Sequence, residues 1–361
     1  MLSKNISKDE IEFWLRENDA ARLEQLWNTA NEIRKKEIGD AIYLRGLLEI
    51  SNHCLRRCSY CGINRDCTET IRYRMSFREI MESVQDVIDA DYGTVVIQAG
   101  EDYGLTRDFI SEVIGEIRKR SPLAIALSLG ERPMEDLIAW KQDGTDRYFL
   151  RFETSDEELY ELIHPKLAVD EHPMQRLNML KKIRSIGYDI GSGVMIGIPG
   201  QSYTSLANDI VLFRDLDLDM IGVGPYIRSP FTALGSGLVK PRELGRDQVP
   251  ANELMTYKVI AIARIVCPSA NITSTTALAT IDNINGRILG FSRGANVCMP
   301  NVTPRCYKDK YTIYPNKQLD NNIEIIENEA KKLGRYMGKG RGTRKKSALS
   351  ICGGDDNYVI L

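Results

Sequence analysis

The sequence predicts an α/β fold: a (β/α)8 TIM-type barrel preceded by an N-terminal helical extension. Three observations lead there. Short apolar runs alternate with amphipathic helical stretches about eight times across the 361 residues, the pattern of parallel strands joined by crossover helices. The segments that follow the strands (GED, SLGER, RFET, GIPGQ, GPYIRSP, TTAL and MPNVTP) are polar or glycine-bearing. A closed barrel gathers such segments on its C-terminal mouth, where barrel sites are built. The length also suits one barrel of ~250 residues or more with additions at its ends.

Residues 7–44 place apolar residues at three- and four-residue steps and read as helical, which gives an extension over 1–44. The barrel is expected over 45–337. LLEIS (47–51) opens it as a strand. SFREIMESVQDVIDA (76–90) is an amphipathic helix, with Ser76 at its N-cap and Glu79 as capping-box partner. TVVIQAG (94–100) is a strand ending in glycine, TRDFISEVIGEIRKR (106–120) a helix, LAIALSLG (123–130) a strand and PMEDLIAWKQDG (133–144) a helix closed by glycine. RYFLRFE (147–153) is a strand; DEELYELIH (156–164) and MQRLNMLKKIRSIG (174–187) are helices. The alternation continues through DIGSGVMIGIPG (189–200), YTSLANDIVLFRDLD (203–217), DMIGVGPYI (219–227), NELMTYKVIAIARIV (252–266) and NITSTTA (271–277), and ANVCMP (295–300) is the last strand. Residues 338–361, basic and glycine-rich and then polar, are expected to form a weakly attached, flexible tail.

Hydrophobic residues make up 43% and charged residues 27%, with a formal net charge of −2. That balance gives neither nucleic acid nor an anionic membrane a reason to be the main partner. The start, MLSKNISKDEIEFW, has no apolar signal core, and no run reaches the ~18 apolar residues of a membrane span. A cytoplasmic protein with a small-molecule substrate is the expectation.

Of the eight cysteines, three fall within SNHCLRRCSYCGINRD, directly after the first strand: Cys54, Cys58 and Cys61, spaced C-x3-C-x2-C. In a chain of this kind, clustered cysteines point to metal or redox chemistry before disulfides. A structural zinc site takes four ligands; Cys67 is the available fourth, but the intervening Gly-Ile-Asn-Arg-Asp would have to fold back. An iron–sulfur cube has four irons, and three cysteines leave one of them open to bind a further group. Spacing alone favours the cluster and leaves zinc and coincidence as alternatives.

C-x3-C-x2-C with Tyr60 before the last cysteine resembles the motif of the radical S-adenosylmethionine (SAM) superfamily. RYRMSFREI (72–80), VIQAGED (96–102), LSLGERP (127–133), DRYFLRFET (146–154), QRLNML (175–180), GSGVMIGIPGQ (191–201), DMIGVGPYI (219–227), TTALATI (275–281) and GANVCMPNVTP (294–304) are similar to the [FeFe]-hydrogenase maturases of the HydE type over about residues 45–315. Methylornithine synthase and biotin synthase belong to the same wider group. The resemblance implies one [4Fe–4S] cluster held by Cys54, Cys58 and Cys61, with the amino and carboxylate groups of SAM on the fourth iron. One electron then splits SAM into methionine and a 5′-deoxyadenosyl radical.

It further implies a cofactor site bordered by Tyr60 and Ser128. There Gly100, Glu101 and Asp102 receive the ammonium group, largely through backbone atoms, and Gly100 permits close approach. Arg151 and Glu153, two apart on one strand, share a side, and the glutamate contacts SAM. Arg176 pairs with the SAM carboxylate through its planar fork. Thr275 and Thr276, at a strand end, would donate to a substrate carboxylate, and Tyr311 and Tyr314 face the cavity. Gln98 and Met299 are further lining residues, although a core methionine is the plainer reading of Met299. The implied partners are a small cysteine- or amino-acid-derived substrate, an electron donor such as reduced ferredoxin or flavodoxin, and other hydrogenase maturases. In HydE proper the substrate is an iron–cysteine complex bearing carbon monoxide and cyanide. A radical mutase or synthase acting on an amino acid, and a non-catalytic iron–sulfur protein, are the rival readings. Residues 315–335 lack the second cysteine group of many HydE proteins. Phe152, Ala99 and Ala126 stand where hydrogen-bonding residues are usual, which implies a less polar substrate part.

Overall fold

The computed structural model describes residues 2–167, 175–317 and 323–345. Two helices, α1 (Lys8–Arg16) and α2 (Ala20–Glu37), precede strand β1 (Ala41–Ser51). The first unit adds α3 (Phe77–Asp89), capped by the reciprocal Ser76–Glu79 box that the sequence predicts, and β2 (Thr94–Ala99). Then come α4 (Arg107–Arg120), β3 (Ala124–Ser128), α5 (Met134–Gln142), β4 (Arg147–Phe149), α6 (Glu157–Ile163), α7 (Gln175–Ser185) and β5 (Asp189–Ser192). They are followed by β6 (Met195–Ile196), α8 (Tyr203–Asp215), β7 (Met220–Gly222), β8 (Gly224–Pro225), α9 (Ala233–Ser236), α10 (Glu253–Val266) and β9 (Asn271–Thr273). The chain ends with α11 (Thr276–Ile281), α12 (Gly286–Ser292), β10 (Val297–Cys298), α13 (Arg305–Lys308), α14 (Ile323–Lys332) and β11 (Tyr336–Gly338).

The strands β1, β2, β3, β4, β5, β7, β9 and β10 pair in parallel in that order, and β10 returns to β1 through Tyr43↔Val297 and Leu44↔Cys298. This is the closed eight-stranded barrel predicted from the alternation. β11 adds to the outside of β1, and β6 pairs with β8 above the barrel proper. Alternation along the strands sorts the side chains. Leu48 and Ile50, Val95 and Ile97, Ile125 and Leu127, and Tyr148 and Leu150 face the helices. Leu47, Val96 and Ala126, level with one another in register, meet inside the barrel under Met299. One layer higher, Glu49, Gln98 and Ser128 are again level, so a polar tier lies above an apolar one.

Three expectations need correction. Residues 41–44 belong to β1 rather than to the helical extension, because Asp40 and Gly39 end α2 early: Gly39 holds φ +86° and its carbonyl takes an Arg34 N–H. The strands of the second half are much shorter than the apolar runs that announced them, since β5 and β7 hand over to β6 and β8. Residues 338–345 are not a loose tail. Gly338 pairs beside Tyr43, Arg147 donates to the carbonyl of Arg341 at 2.7 Å and to Thr343 Oγ1 at 3.1 Å, and Asn271 Nδ2 donates to the Gly342 carbonyl at 3.0 Å. Arg344 pairs with Asp217 and with Asp219. This segment is a strap across the N-terminal floor of the barrel; its basic residues meet acidic loop residues that no local pattern places there. Residues 346–361 lie outside the described residues.

The N-terminal helices lie over α8 and α10. Thr204 Oγ1 donates to Glu12 Oε2 at 2.8 Å, and Lys258 Nζ donates to the Leu15 carbonyl at 3.0 Å. That cover explains α10, which is mostly apolar and buried on every side from Met255 to Val266, Lys258 and Arg264 included.

Candidate active site

The loop after β1 carries the three cysteines, and its shape is held by its own polar groups. Asn52 accepts from the Tyr73 amide and donates to the carbonyls of Ile71 and Lys310. Arg72 donates to the carbonyls of Asn52, Ile63, Asn64 and Cys67, and Asn64 Nδ2 donates to those of Cys58 and Cys61. Gly62 presses against the segment after α13: its amide donates to the Ile313 carbonyl, and a Cβ there would stand 2.1 Å from the Thr312 carbonyl oxygen.

Burial raises all three thiols, Cys61 to about 12 and Cys58 well above its ordinary value. Such thiols ionise when metal takes the place of the proton. The Cys54 sulfur accepts from the Glu101 amide at 3.4 Å. The Cys67 sulfur instead accepts from Thr70 Oγ1 at 3.4 Å. Among the described residues, no three His, Cys, Asp or Glu side chains gather as they would around a single ion. Cys67, the fourth ligand a zinc site would need, is turned to Thr70, whereas three thiols on one loop, Cys58 buried and Cys54 and Cys61 half-buried, suit a polynuclear cluster.

Gly100 sits where β2 meets this loop. A Cβ there would lie 2.2 Å from the His53 carbonyl oxygen and 2.9 Å from Cys54 Cβ. The glycine thus lets the cysteine loop close against the strand end. Its neighbours bind protein groups: the Glu101 carbonyl accepts from the Leu55 amide, and Asp102 takes Arg74 and Ser51 Oγ. Burial opposes the Asp102 charge, but these bonds hold its carboxyl below the usual range.

Arg151 Nε donates to Glu153 Oε2 at 3.1 Å, Arg151 Nη2 to the Val194 carbonyl at 2.7 Å, and Tyr60 Oη to Glu153 Oε1 at 3.4 Å. Glu153 holds φ +63°, a left-handed backbone rare for glutamate, fixed by pairing between Glu153 and Val194. Strain of this kind concentrates at functional sites. Arg176, by spacing alone a helix-surface residue, is buried and touches Glu131, the Arg151 carbonyl and His164.

Inside the mouth, Gln98 Nε2 donates to Tyr311 Oη at 3.3 Å. Glu49 accepts from Asn301 Nδ2 at 2.9 Å and from Lys317 Nζ. Ser128 shares their tier, and Met299 packs over the apolar one. Tyr314, its hydroxyl raised by burial, bonds to Thr280 on α11. Thr275 and Thr276 do not end a strand. Thr275 caps α11 and donates to the Val223 carbonyl at 3.0 Å, so its hydroxyl proton serves the fold, and Thr276 begins the helix half-buried. Phe152 and Ala99 face the helix layer, Phe152 against Phe213 on α8; of the three departures only Ala126 faces inward. Sequence reasoning missed Arg56, Glu131, His164, Glu49 and Lys317. Glu49 had a signal, being the one charge in the apolar run LLEIS.

The thiols, the buried arginines and the Glu153 carboxylate are a donor set that fits an iron–sulfur cluster and a cofactor with amino and carboxylate groups. Comparison with known proteins agrees. Residues 48–212 match the Radical SAM superfamily. The chain is 38% identical over 334 residues to the [FeFe] hydrogenase maturase subunit HydE of Thermotoga maritima, covering 91% of each. It is 27% identical over 295 residues to 3-methylornithine synthase of Methanosarcina acetivorans, covering 81% of this chain and 78% of that one. The crystal structure of methylornithine synthase superposes with a TM-score of 0.77 at 22% identity, covering 92% and 94%. The chain therefore belongs to the radical SAM superfamily of enzymes, in the family of the [FeFe] hydrogenase maturase HydE.

Proposed function

We propose that this enzyme acts in assembly of the [FeFe]-hydrogenase active-site cluster, on a small cysteine- or amino-acid-derived substrate. The observation that carries this is the 38% identity over nine-tenths of both chains, which takes in the mouth segments as well as the cysteine loop. A [4Fe–4S] cluster on Cys54, Cys58 and Cys61 would supply one-electron reductive cleavage of SAM to a 5′-deoxyadenosyl radical. The electron would come from a carrier such as reduced ferredoxin or flavodoxin. The remaining work belongs to the protein. Arg176 binds the cofactor carboxylate, Glu153 and Tyr60 fix its orientation, and the strand end at Gly100–Asp102 borders it. Gln98, Ser128, Thr276, Met299, Tyr311 and Tyr314 line the substrate space, and the closed floor keeps water out of it. Among the described residues no helix is long and apolar enough to cross a membrane.

Anaerobic reconstitution tests the reading. About four irons per chain and 5′-deoxyadenosine from SAM and dithionite are expected, both lost in Cys58→Ala. Hydrogenase apoprotein should then become active when this protein joins the other maturases. Cofactor cleavage by the Cys58→Ala protein would overturn the cluster assignment. A rearranged amino acid of unchanged mass, with no hydrogenase activation, would favour the synthase reading instead.

A further inference from the structure

Behind the cysteine loop, four charged side chains from four separate segments are linked in the order Glu101–Arg56–Glu131–Arg176, and the Glu131 amide closes the first three on one another. Arg56 lies in the gap between Cys54 and Cys58. Its Nε donates to Glu101 Oε1 at 2.6 Å and its Nη2 to Glu131 Oε2 at 2.9 Å. The other oxygen of Glu131 accepts from Arg176 Nε at 2.9 Å, and the Glu131 amide donates to Glu101 Oε2 at 3.0 Å. No more than 10% of any of these four side chains is exposed. Burying two guanidiniums and two carboxylates does little for stability alone, because an apolar core of the same volume serves as well or better. Such a network specifies position.

What it positions follows from the donors left over. Arg176 has five N–H groups. Nε is spent on Glu131, one N–H of Nη1 on the Arg151 carbonyl at 2.8 Å, and one of Nη2 on His164 Nε2 at 2.7 Å. His164 accepts that bond because burial, then Arg176 and Arg56, keep it neutral. Among the described residues, one N–H remains on each terminal nitrogen, the number a carboxylate takes in a bidentate pair.

We propose that Glu131 is a positioning residue that carries the cysteine loop, through Arg56, and the cofactor-binding arginine, Arg176, on one carboxylate. Cluster geometry and cofactor engagement are thereby set together. The inference rests on the assignment of the three cysteines to the cluster and of Arg176 to the SAM carboxylate.

The test uses the full chain with its cluster reconstituted, in Glu131→Gln, Arg176→Lys and the double variant. For Glu131→Gln we expect wild-type iron content, SAM binding weakened at least tenfold by calorimetry, and loss of the change that SAM causes in the reduced cluster's electron paramagnetic resonance spectrum. In the Arg176→Lys background the same change at Glu131 should weaken SAM binding less than threefold, because its effect runs through Arg176. Wild-type SAM affinity and spectrum in Glu131→Gln would overturn the proposal, as would full additivity in the double variant. Should Glu131→Gln fail to load iron, Arg56→Lys decides the matter. It keeps the charge and cannot span both glutamates, so SAM binding as in the wild type would overturn the proposal. Failure of the wild-type protein itself to bind SAM would instead sink the underlying reading.

Discussion

Asp209 on α8 is fully buried against the loop that carries Glu153. It accepts from the Ser155 amide and hydroxyl, each at 2.6 Å. Burial pushes its carboxyl up to about 7 despite those bonds, with Asp156 adding to the rise. Between pH ~4 and ~7 the folded protein therefore holds a proton at this site that the unfolded chain has released. Stability falls as pH rises through that window and levels above it. Asp209→Asn should flatten this slope, by on the order of 1–4 kcal/mol between pH 4.5 and 7.5, in urea titrations run against the wild type. An unchanged slope would show that Asp209 titrates normally. The residue scale is also where the sequence was hardest to read. C-x3-C-x2-C was legible because all its information is local. The network was not, because Arg56, Glu101, Glu131 and Arg176 are dispersed over 120 residues, and no local pattern links them. The misplacement of Phe152 was avoidable: the alternation that turns Arg151 and Glu153 inward must turn Phe152 outward.

Elements were legible in kind and blurred at their ends. The helices announced themselves by capping and periodicity, as at Ser76 and Glu79. The later strands did not show their limits, because RYFLRFE and DMIGVGPYI stay apolar or alternating after ladder pairing stops at Phe149 and Gly222. Helix α10 shows how one element answers for another, since its apolar outer surface is tolerable only beneath α1 and α2. Removing residues 1–38 should therefore expose that surface. The expected result is an aggregating protein that binds a hydrophobic dye, with the melting temperature lowered by several degrees or more. A monomeric, dye-silent product of normal melting temperature would contradict the packing argument.

For the molecule as a whole, the alternation predicted closure correctly, and the register from β10 to β1 delivers it. The floor was the surprise. A basic, glycine-rich end has the composition of a solvated tail, yet Gly93 can approach the Gly340 carbonyl only because it has no Cβ, which would stand 1.6 Å away. Deleting residues 339–361 removes the bonds that the strap makes to Arg147, Asn271 and Asp219. We expect a melting temperature lower by about 2–4 °C for each kcal/mol lost, with iron per chain unchanged after reconstitution because the cysteine loop is at the opposite end. Equal melting of the two proteins would mean that the strap contributes nothing.

A barrel strapped in this way at one end, among the described residues, has its doorway at the other, and the cysteine loop stands on the sill. Traffic through such a room is a queue without overtaking: what rests deepest arrives first and departs last.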